Sequence, residues 1–347
     1  AGLGGERLAA EGVELLARPV DRAVMGLAGV LGSLGYYVDL LERCAAHFRA
    51  APPDVLVPVD SPALHVPLAR IARRYGVSSA HFVAPQYWGW APWRARGYAS
   101  AFDRALTILP FEKPWFERRG VRAVHVGHPL LDHLAREPVT RPAAGARAIV
   151  LLCGSRRSVI ERNLPWMLAR LSAVDLELAH PPIVIAHDDA AQHPLLAALV
   201  AEHGRGLDAT IATAGLHAEL ARARTAFAVS GTVLLDLLHH RLPAVVLYRL
   251  GGRREEWIGK RFVTAPWFSV TNLLANEELL PEFGFSGAGP AGVVERALVR
   301  AHADPDWRAH CRAGLERAAE RLGPPGAARR AARVVLGLAA DAEGSPG

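Results

Sequence analysis

Short runs rich in Val, Ile and Leu return along the chain at intervals filled by longer amphipathic stretches, and this alternation excludes most folds. Strands buried on both faces read as near-continuous apolar runs, and parallel neighbours need a crossover long enough to hold a helix. The runs that predict strands are Val55 to Asp60, Ser79 to Ala84, Ala105 to Pro110, Ala123 to Gly127, Ala148 to Cys153, Ile183 to His187, Ala226 to Ser230 and Ala244 to Arg249. Between them, helical periodicity covers Val38 to Arg49, Pro62 to Tyr75, Ile160 to Leu171, Thr232 to His240 and Glu255 to Val263. The pattern is that of an α/β protein with parallel sheets, whose ligands bind beyond the carboxyl ends of the strands.

At 347 residues the chain exceeds the size at which one hydrophobic core usually keeps growing, so two domains are expected. A polar stretch from Glu137 to Arg147, interrupted by Pro138, Pro142 and Gly145, breaks the alternation and supplies the boundary. From Ala291 onward the pattern is helical, and Gly323-Pro324-Pro325-Gly326 sets off the last helix. The expected organisation is one α/β domain over 1–140, a second over 147–322, and a helix over 326–342 packing back on the first. The chain opens at Ala1 and moves at once into Gly2-Leu3-Gly4-Gly5, as if an earlier strand and turn precede it.

A hydrophobic share of 51% against 21% charged residues supports a packed core rather than a disordered chain. No uninterrupted apolar stretch reaches the roughly 18 residues a spanning helix needs, and no secretory signal pattern opens the chain. Cys44, Cys153 and Cys311 lie far apart, which suggests neither a disulfide framework nor a zinc site and fits a reducing, cytosolic compartment. The net charge of +6 comes almost wholly from arginine, since Lys113 and Lys260 are the only lysines. Such a balance suits nucleic acid, an anionic membrane or phosphorylated substrates, although arginines spread along the chain also fit simple compositional enrichment.

Two turns carry the clearest chemistry. At Ser230-Gly231-Thr232 a strand ends in small residues that open a helix, where free N–H groups, the helix dipole and two hydroxyls suit a diphosphate. Asp236, one turn further on, is placed to accept hydrogen bonds from ribose hydroxyls; an ordinary helix cap is the competing explanation. After another strand comes Gly154-Ser155-Arg156, a glycine turn with a guanidinium that matches phosphate geometry. In the first half, Trp88, Trp90 and Trp93 stand beside Arg94 and Arg96, a density that suits a sugar platform, an acyl-chain groove or the bilayer interface, with core packing as the alternative. Asp60, His65, His81, His125 and His128 lie at or just beyond strand ends, and any of them is a candidate general base. His239-His240 is expected to cap its helix, and His187-Asp188-Asp189 lacks the third ligand a metal site needs.

These segments resemble, in order, the blocks of the lipid-A-disaccharide synthase family of inverting GT-B glycosyltransferases. The blocks are Gly2-Leu3-Gly4-Gly5, Val24-Met25-Gly26-Leu27, Pro53-Asp54-Val55, Val59-Asp60-Ser61-Pro62, Phe82-Val83-Ala84-Pro85 with Trp88-Gly89-Trp90, and Leu109-Pro110-Phe111-Glu112. They continue with Val126-Gly127-His128-Pro129-Leu130, Leu152-Cys153-Gly154-Ser155-Arg156, Ser230-Gly231-Thr232, Val245-Val246-Leu247-Tyr248-Arg249 and Asn272-Leu273-Leu274-Ala275. The resemblance implies two doubly wound domains facing a cleft, with a helical C-terminal tail. It implies transfer of a diacylated glucosamine from UDP to a diacylated glucosamine 1-phosphate, without metal, cofactor or nucleic acid, at the inner-membrane surface; a homodimer is compatible with it.

On that resemblance Gly154, Ser155, Arg156, Ser230, Gly231, Thr232, Asp236, Tyr248, Arg249 and Asn272 would hold the UDP sugar. Trp88, Trp90, Trp93, Arg94 and His128 would meet the acylated acceptor. Four positions depart from the family pattern. Its second acidic residue and following asparagine are Ala63 and His65, its glutamate three after Arg156 is Val159, and its ribose-binding glutamate is Asp236. Asp60 or His65 is then left as the base, and a divergent enzyme on another UDP sugar, or a binding protein without turnover, stays open beside the synthase.

Overall fold

A computed structural model describes residues 1–18, 34–138, 145–212 and 215–343 of the chain. Every one of the eight expected strands forms, although most stop short of the expected carboxyl end. β1 (Gly2–Leu3) and β2 (Leu15–Ala17) make a small parallel pair. β3 (Val55–Leu56), β4 (Ser78–Phe82), β5 (Arg104–Thr107) and β6 (Ala123–His125) form a four-stranded parallel sheet in that order. β7 (Ala148–Leu152), β8 (Ile183–Ile185), β9 (Ala209–Ile211), β10 (Ala223–Val229), β11 (Ala244–Arg249) and β12 (Glu282–Phe285) form a six-stranded one. The block Val24-Met25-Gly26-Leu27 and most of the expected boundary lie outside the described residues.

The large sheet runs β12-β11-β10-β7-β8-β9, with every pairing parallel. From β7 the chain builds outward through β8 and β9, then crosses back to lay β10, β11 and β12 on the other side. Strand order therefore reverses between β7 and β10, the switch point of a doubly wound sheet, where adjacent crossover helices part and leave a crevice. Both faces are covered. Val150, Leu152, Ala226, Ala228, Ala244 and Val246 feed one apolar layer, while Ile149, Leu151, Phe227, Val245 and Leu247 feed the opposite one. This explains why these strands read as unbroken apolar runs rather than alternating ones.

The last helix, Ala327–Glu343, leaves the second half and lies on the four-stranded sheet, where Ala331 and Leu338 cluster with Ala80, Leu106 and Val126. Asp132 fixes its start: the carboxylate accepts hydrogen bonds from the backbone N–H groups of Gly326, of Ala327 at 3.2 Å and of Ala328 at 3.2 Å. Arg330 reaches back, its Nε donating to the Val126 carbonyl at 2.7 Å. Its guanidinium occupies the space a side chain on Gly127 would need: a Cβ there, at φ +86°, would meet Arg330 Nη2 at 2.6 Å. Glycine in the Val126-Gly127-His128-Pro129 turn is thus required twice, by backbone conformation and by this close approach.

Candidate active site

The crevice at the switch point is a cavity of about 660 Å³. Gly154, Ser155 and Arg156 line it from the end of β7, and Ser230, Gly231, Thr232 and Asp236 from the end of β10. Two turns 76 positions apart in sequence thus face one space, because their strands are neighbours in register from Ala226 beside Val150 to Ala228 beside Leu152. Gly154 adopts φ +104°, and a Cβ on it would lie 2.4 Å from Val159 Cγ1, so the β7 turn folds tightly onto its helix Arg157–Val174 only with glycine. On the other side Ser230 is fixed by its N–H donating to Leu247 O at 2.7 Å, and the helix Val233–His240 begins just beyond. Both helices begin at the edge of the cavity, and helix N-termini favour an anion.

Asp236 is almost buried, and its burial pushes the carboxyl up to about 6, against the pull of His217, whose Nε2 stands 3.8 Å from Oδ1. Nine lining residues lie outside the expected set, among them His187, Asp188 and Asp189 after β8, and Leu216, first residue of the helix Leu216–Arg222. The first three carry a signal in sequence, since they directly follow an apolar run beside the switch point, where ligands bind. Nor do His239 and His240 cap their helix as expected. Arg241 closes it in the left-handed region, His240 is buried against His217, and His239 Nε2 contacts Glu137 O at 3.2 Å.

Three residues expected at the nucleotide stand elsewhere. Asn272 is fully buried, with Oδ1 accepting from the N–H groups of Leu279 at 3.0 Å and Leu280 at 2.9 Å, and Nδ2 donating to Leu280 O at 2.8 Å and Glu282 at 3.0 Å. Its amide is spent on the loop into β12 and has nothing left for a ligand. Tyr248 and Arg249 do end a strand next to the switch point, but outside the cavity lining; Tyr248 packs on Phe268, and Arg249 donates to the carbonyls of Arg162 and Gly287.

In the first half, Asp60 and Ser61 take φ +54° and +45°, two successive left-handed residues without glycine. Such strain costs on the order of 1 kcal/mol or more each and needs support. It comes from β4: Asp60 N–H donates to Phe82 O at 2.9 Å, and the Asp60 carbonyl accepts from His65 Nδ1 at 2.6 Å and His81 Nε2 at 2.8 Å. His81 is wholly buried and stacked on Phe102 at 4.6 Å, and burial lowers it to about 4, so it serves as a neutral strut. His65 is lowered too, chiefly by burial, and with its proton held at Nδ1 by the carbonyl its Nε2 keeps a lone pair.

A second cavity, of about 380 Å³, is lined by Ala63, Arg70, Tyr87, Trp93, Arg94 and Tyr98, among others, with Asp60 and His65 outside its lining. The tryptophans divide. Trp90 and Trp93 are 48% and 61% exposed, whereas Trp88 is held inward by Nε1 donating to Glu112 Oε1 at 2.9 Å and by its ring against Phe111. Glu112 is itself buried, pushed up to about 7 by desolvation while accepting from the N–H groups of Ile108 and Leu109 at 2.9 Å. Trp88 is therefore partly buried against the core, its indole N–H satisfying a buried carboxylate. His128 lies outside both cavities; its Nδ1 accepts from Leu130 N–H at 3.2 Å, and burial lowers it to about 4. Among the described residues no cluster of His, Cys, Asp and Glu is arranged to hold a metal, and no helix is long and apolar enough to cross a membrane.

Residues 1–302 match the family model of lipid-A-disaccharide synthetase. The chain is 32% identical to the lipid-A-disaccharide synthase of Geobacter sulfurreducens over 96% of its own length and 88% of the relative's. With the synthase of Myxococcus xanthus it shares 31% over 97% and 89%. In fold it is similar to a S. aureus MnaA–UDP co-structure, at TM-score 0.57 and 12% identity over 94% of this chain and 84% of that one. A Neisseria meningitidis UDP-GlcNAc 2-epimerase bound to UDP-GlcNAc is similar at TM-score 0.56 and 10% identity, over 95% and 87%. The GT-B-like architecture expected from the resemblance is thus the observed one.

Proposed function

The chain belongs to the lipid-A-disaccharide synthetase family, and we propose from that membership how its two cavities divide the reaction. It is a glycosyltransferase of lipid A synthesis, moving a diacylated glucosamine from UDP onto a diacylated glucosamine 1-phosphate to give the β-1,6-linked disaccharide and UDP. The six-stranded sheet is the donor domain, the four-stranded sheet the acceptor domain, and the division falls between Glu137 and Arg147. The observation that carries this reading is the convergence of Gly154-Ser155-Arg156 and Ser230-Gly231-Thr232 on one crevice. There the diphosphate meets first-turn N–H groups, two hydroxyls and a guanidinium, and Asp236 faces the ribose.

In the acceptor cavity, Arg70 and Arg94 take the 1-phosphate as a pair of guanidiniums beside Tyr87 and Trp93. His65 replaces the acid lost at Ala63. Its Nε2 removes the proton of the acceptor 6-hydroxyl as that oxygen bonds to the anomeric carbon from the face opposite UDP. The carbon–oxygen bond to the diphosphate breaks, and its electron pair leaves with UDP, whose growing charge Arg156 and the N–H groups stabilise. Exposed Trp90, Trp93, Trp257, Ile258 and Val263, with Arg94, Arg254 and Arg261 among them, form the surface that meets acyl chains and the inner membrane from the cytoplasmic side.

Incubation with UDP-diacylglucosamine and diacylglucosamine 1-phosphate tests the reading through release of disaccharide and UDP. His65→Ala is expected to lower kcat at least about a hundredfold with UDP affinity unchanged, and the acid limb of kcat in the parent protein should lie below pH 6.5, because burial lowers His65 from that value. A full-rate His65→Ala protein together with an inactive Asp60→Asn one would move the base to Asp60. Tight UDP binding with no disaccharide would favour the competing reading that Ala63 suggests, a nucleotide-binding relative without turnover.

A further inference from the structure

Asp236 carries the ribose end of the donor reading, and the direction and charge of its carboxylate decide whether it can accept from ribose hydroxyls. The candidate to set both is behind it. His217, second residue of the helix Leu216–Arg222, places Nε2 3.8 Å from Asp236 Oδ1, within electrostatic reach but beyond hydrogen-bond distance. The opposite ring nitrogen of His217, Nδ1, meets Nε2 of fully buried His240 at 3.0 Å, with ring centroids 5.3 Å apart. Two adjacent imidazoles thus form a row ending at the carboxylate. For Nε2 of His217 to present its proton to Asp236 in the neutral ring, Nδ1 must accept from His240 Nε2–H, so the buried ring sets the tautomer of the one facing the cavity.

We infer that His217 is a positioning residue that holds the Asp236 carboxylate toward the ribose hydroxyls of the bound nucleotide; this rests on the reading of the switch-point cavity as the nucleotide site. The charged surroundings agree with the geometry. Asp236 is faced by His217, by Asp188 from the β8 end and by His133 from the helix Leu130–Leu134; His217 is faced by Asp236, His240 and the ring of His239 at 6.4 Å. Burial and Asp188 favour the protonated acid, which accepts ribose hydrogen bonds poorly, while His217 and His133 favour the carboxylate. A structural role alone would affect folding; a positioning role also affects the pH at which ribose is recognised.

Calorimetric titration of the full chain with UDP and with 2′-deoxy-UDP, from pH 5 to 8, separates the cases. The parent protein should prefer UDP, with that preference fading below about pH 6, where Asp236 takes up its proton. His217→Ala and Asp236→Asn are each expected to weaken UDP binding at pH 7.5 by about tenfold and to abolish the preference. The double variant should lose no more than either single one. His217→Gln, whose amide still donates, should recover part of the affinity, and in His217→Ala the acid limb should move up by about one pH unit. If Asp236→Asn loses the preference while His217→Ala keeps parental affinity and discrimination, the inference fails and the donor reading stands. If Asp236→Asn itself retains both, the donor reading fails at the ribose and the inference with it.

Discussion

Asn272 shows at the scale of one residue how a polar side chain in a family-like block can be entirely structural. Its amide satisfies two N–H groups of the loop Leu279–Leu280 and donates to Leu280 O and Glu282, all away from solvent. Removing a buried partner leaves the others with their full desolvation cost, roughly 1–3 kcal/mol for each unsatisfied group. Asn272→Ala is therefore expected to lower unfolding stability by about 2–3 kcal/mol in urea titration and leave UDP affinity within twofold. A large loss of UDP affinity in a variant of parental stability would return Asn272 to the nucleotide. Sequence alone could not separate it from Ser230 or Arg156, because all follow the same family order. What differs is tertiary: the switch point collects β7 and β10, and Asn272 sits past β11 under the edge strand β12. Trp88 is the same lesson, since its indole partner Glu112 lies 24 positions away.

At the scale of elements, the sequence signal is strongest for strands buried on both faces, such as β7 and β11, where apolar residues run unbroken. Of the four missed ones, β1 and β2 are a pair of two and three residues, and β9 and β12 are edges of the large sheet, three and four residues long, carrying Thr210, Glu282 and Gly284 where a core strand would carry an aliphatic. One pairing of elements matters for function and had no sequence signal. The tryptophan loop bonds to the chain leaving the helix Arg253–Phe262, with Thr264 N–H donating to Gly89 O at 2.9 Å, Thr264 Oγ1 to Trp88 O at 2.8 Å, and Trp93 edge-on to Phe262. Trp90 and Trp93 are exposed on that loop, and Trp257 is 66% exposed on the helix it meets. Indole rings gain most at a bilayer interface, and neighbouring arginines favour anionic headgroups. The triple variant Trp90→Ser, Trp93→Ser, Trp257→Ser should lose most cosedimentation with phosphatidylglycerol vesicles while binding UDP as the parent does. Unchanged cosedimentation would place the lipid contact elsewhere.

Across the whole molecule, the two sheets are tied by more than the connection between β6 and β7. Ile108, Leu109 and Leu134 of the first half share an apolar cluster with Leu234, Leu235 and Leu238 of the second, and the last helix crosses back to cover Ala80, Leu106 and Val126. The four-stranded sheet thus completes one face of its core with a segment from the far end of the chain, anchored by Asp132 at the helix start. An N-cap of this kind contributes about 1 kcal/mol, and buried aliphatic side chains about 1.5–3 kcal/mol each. Among the described residues, neither apolar cluster of the six-stranded sheet includes a residue of that helix. Ending the chain at Leu322 should therefore act unequally. Hydrogen exchange should speed up at the amides of β4 and β5 by orders of magnitude, while β7, β10 and β11 keep their protection and UDP still binds. Uniform acceleration across both sheets would mean that the halves fold as one cooperative unit, and unchanged exchange in β4 and β5 that the helix only rests on a sheet stable without it.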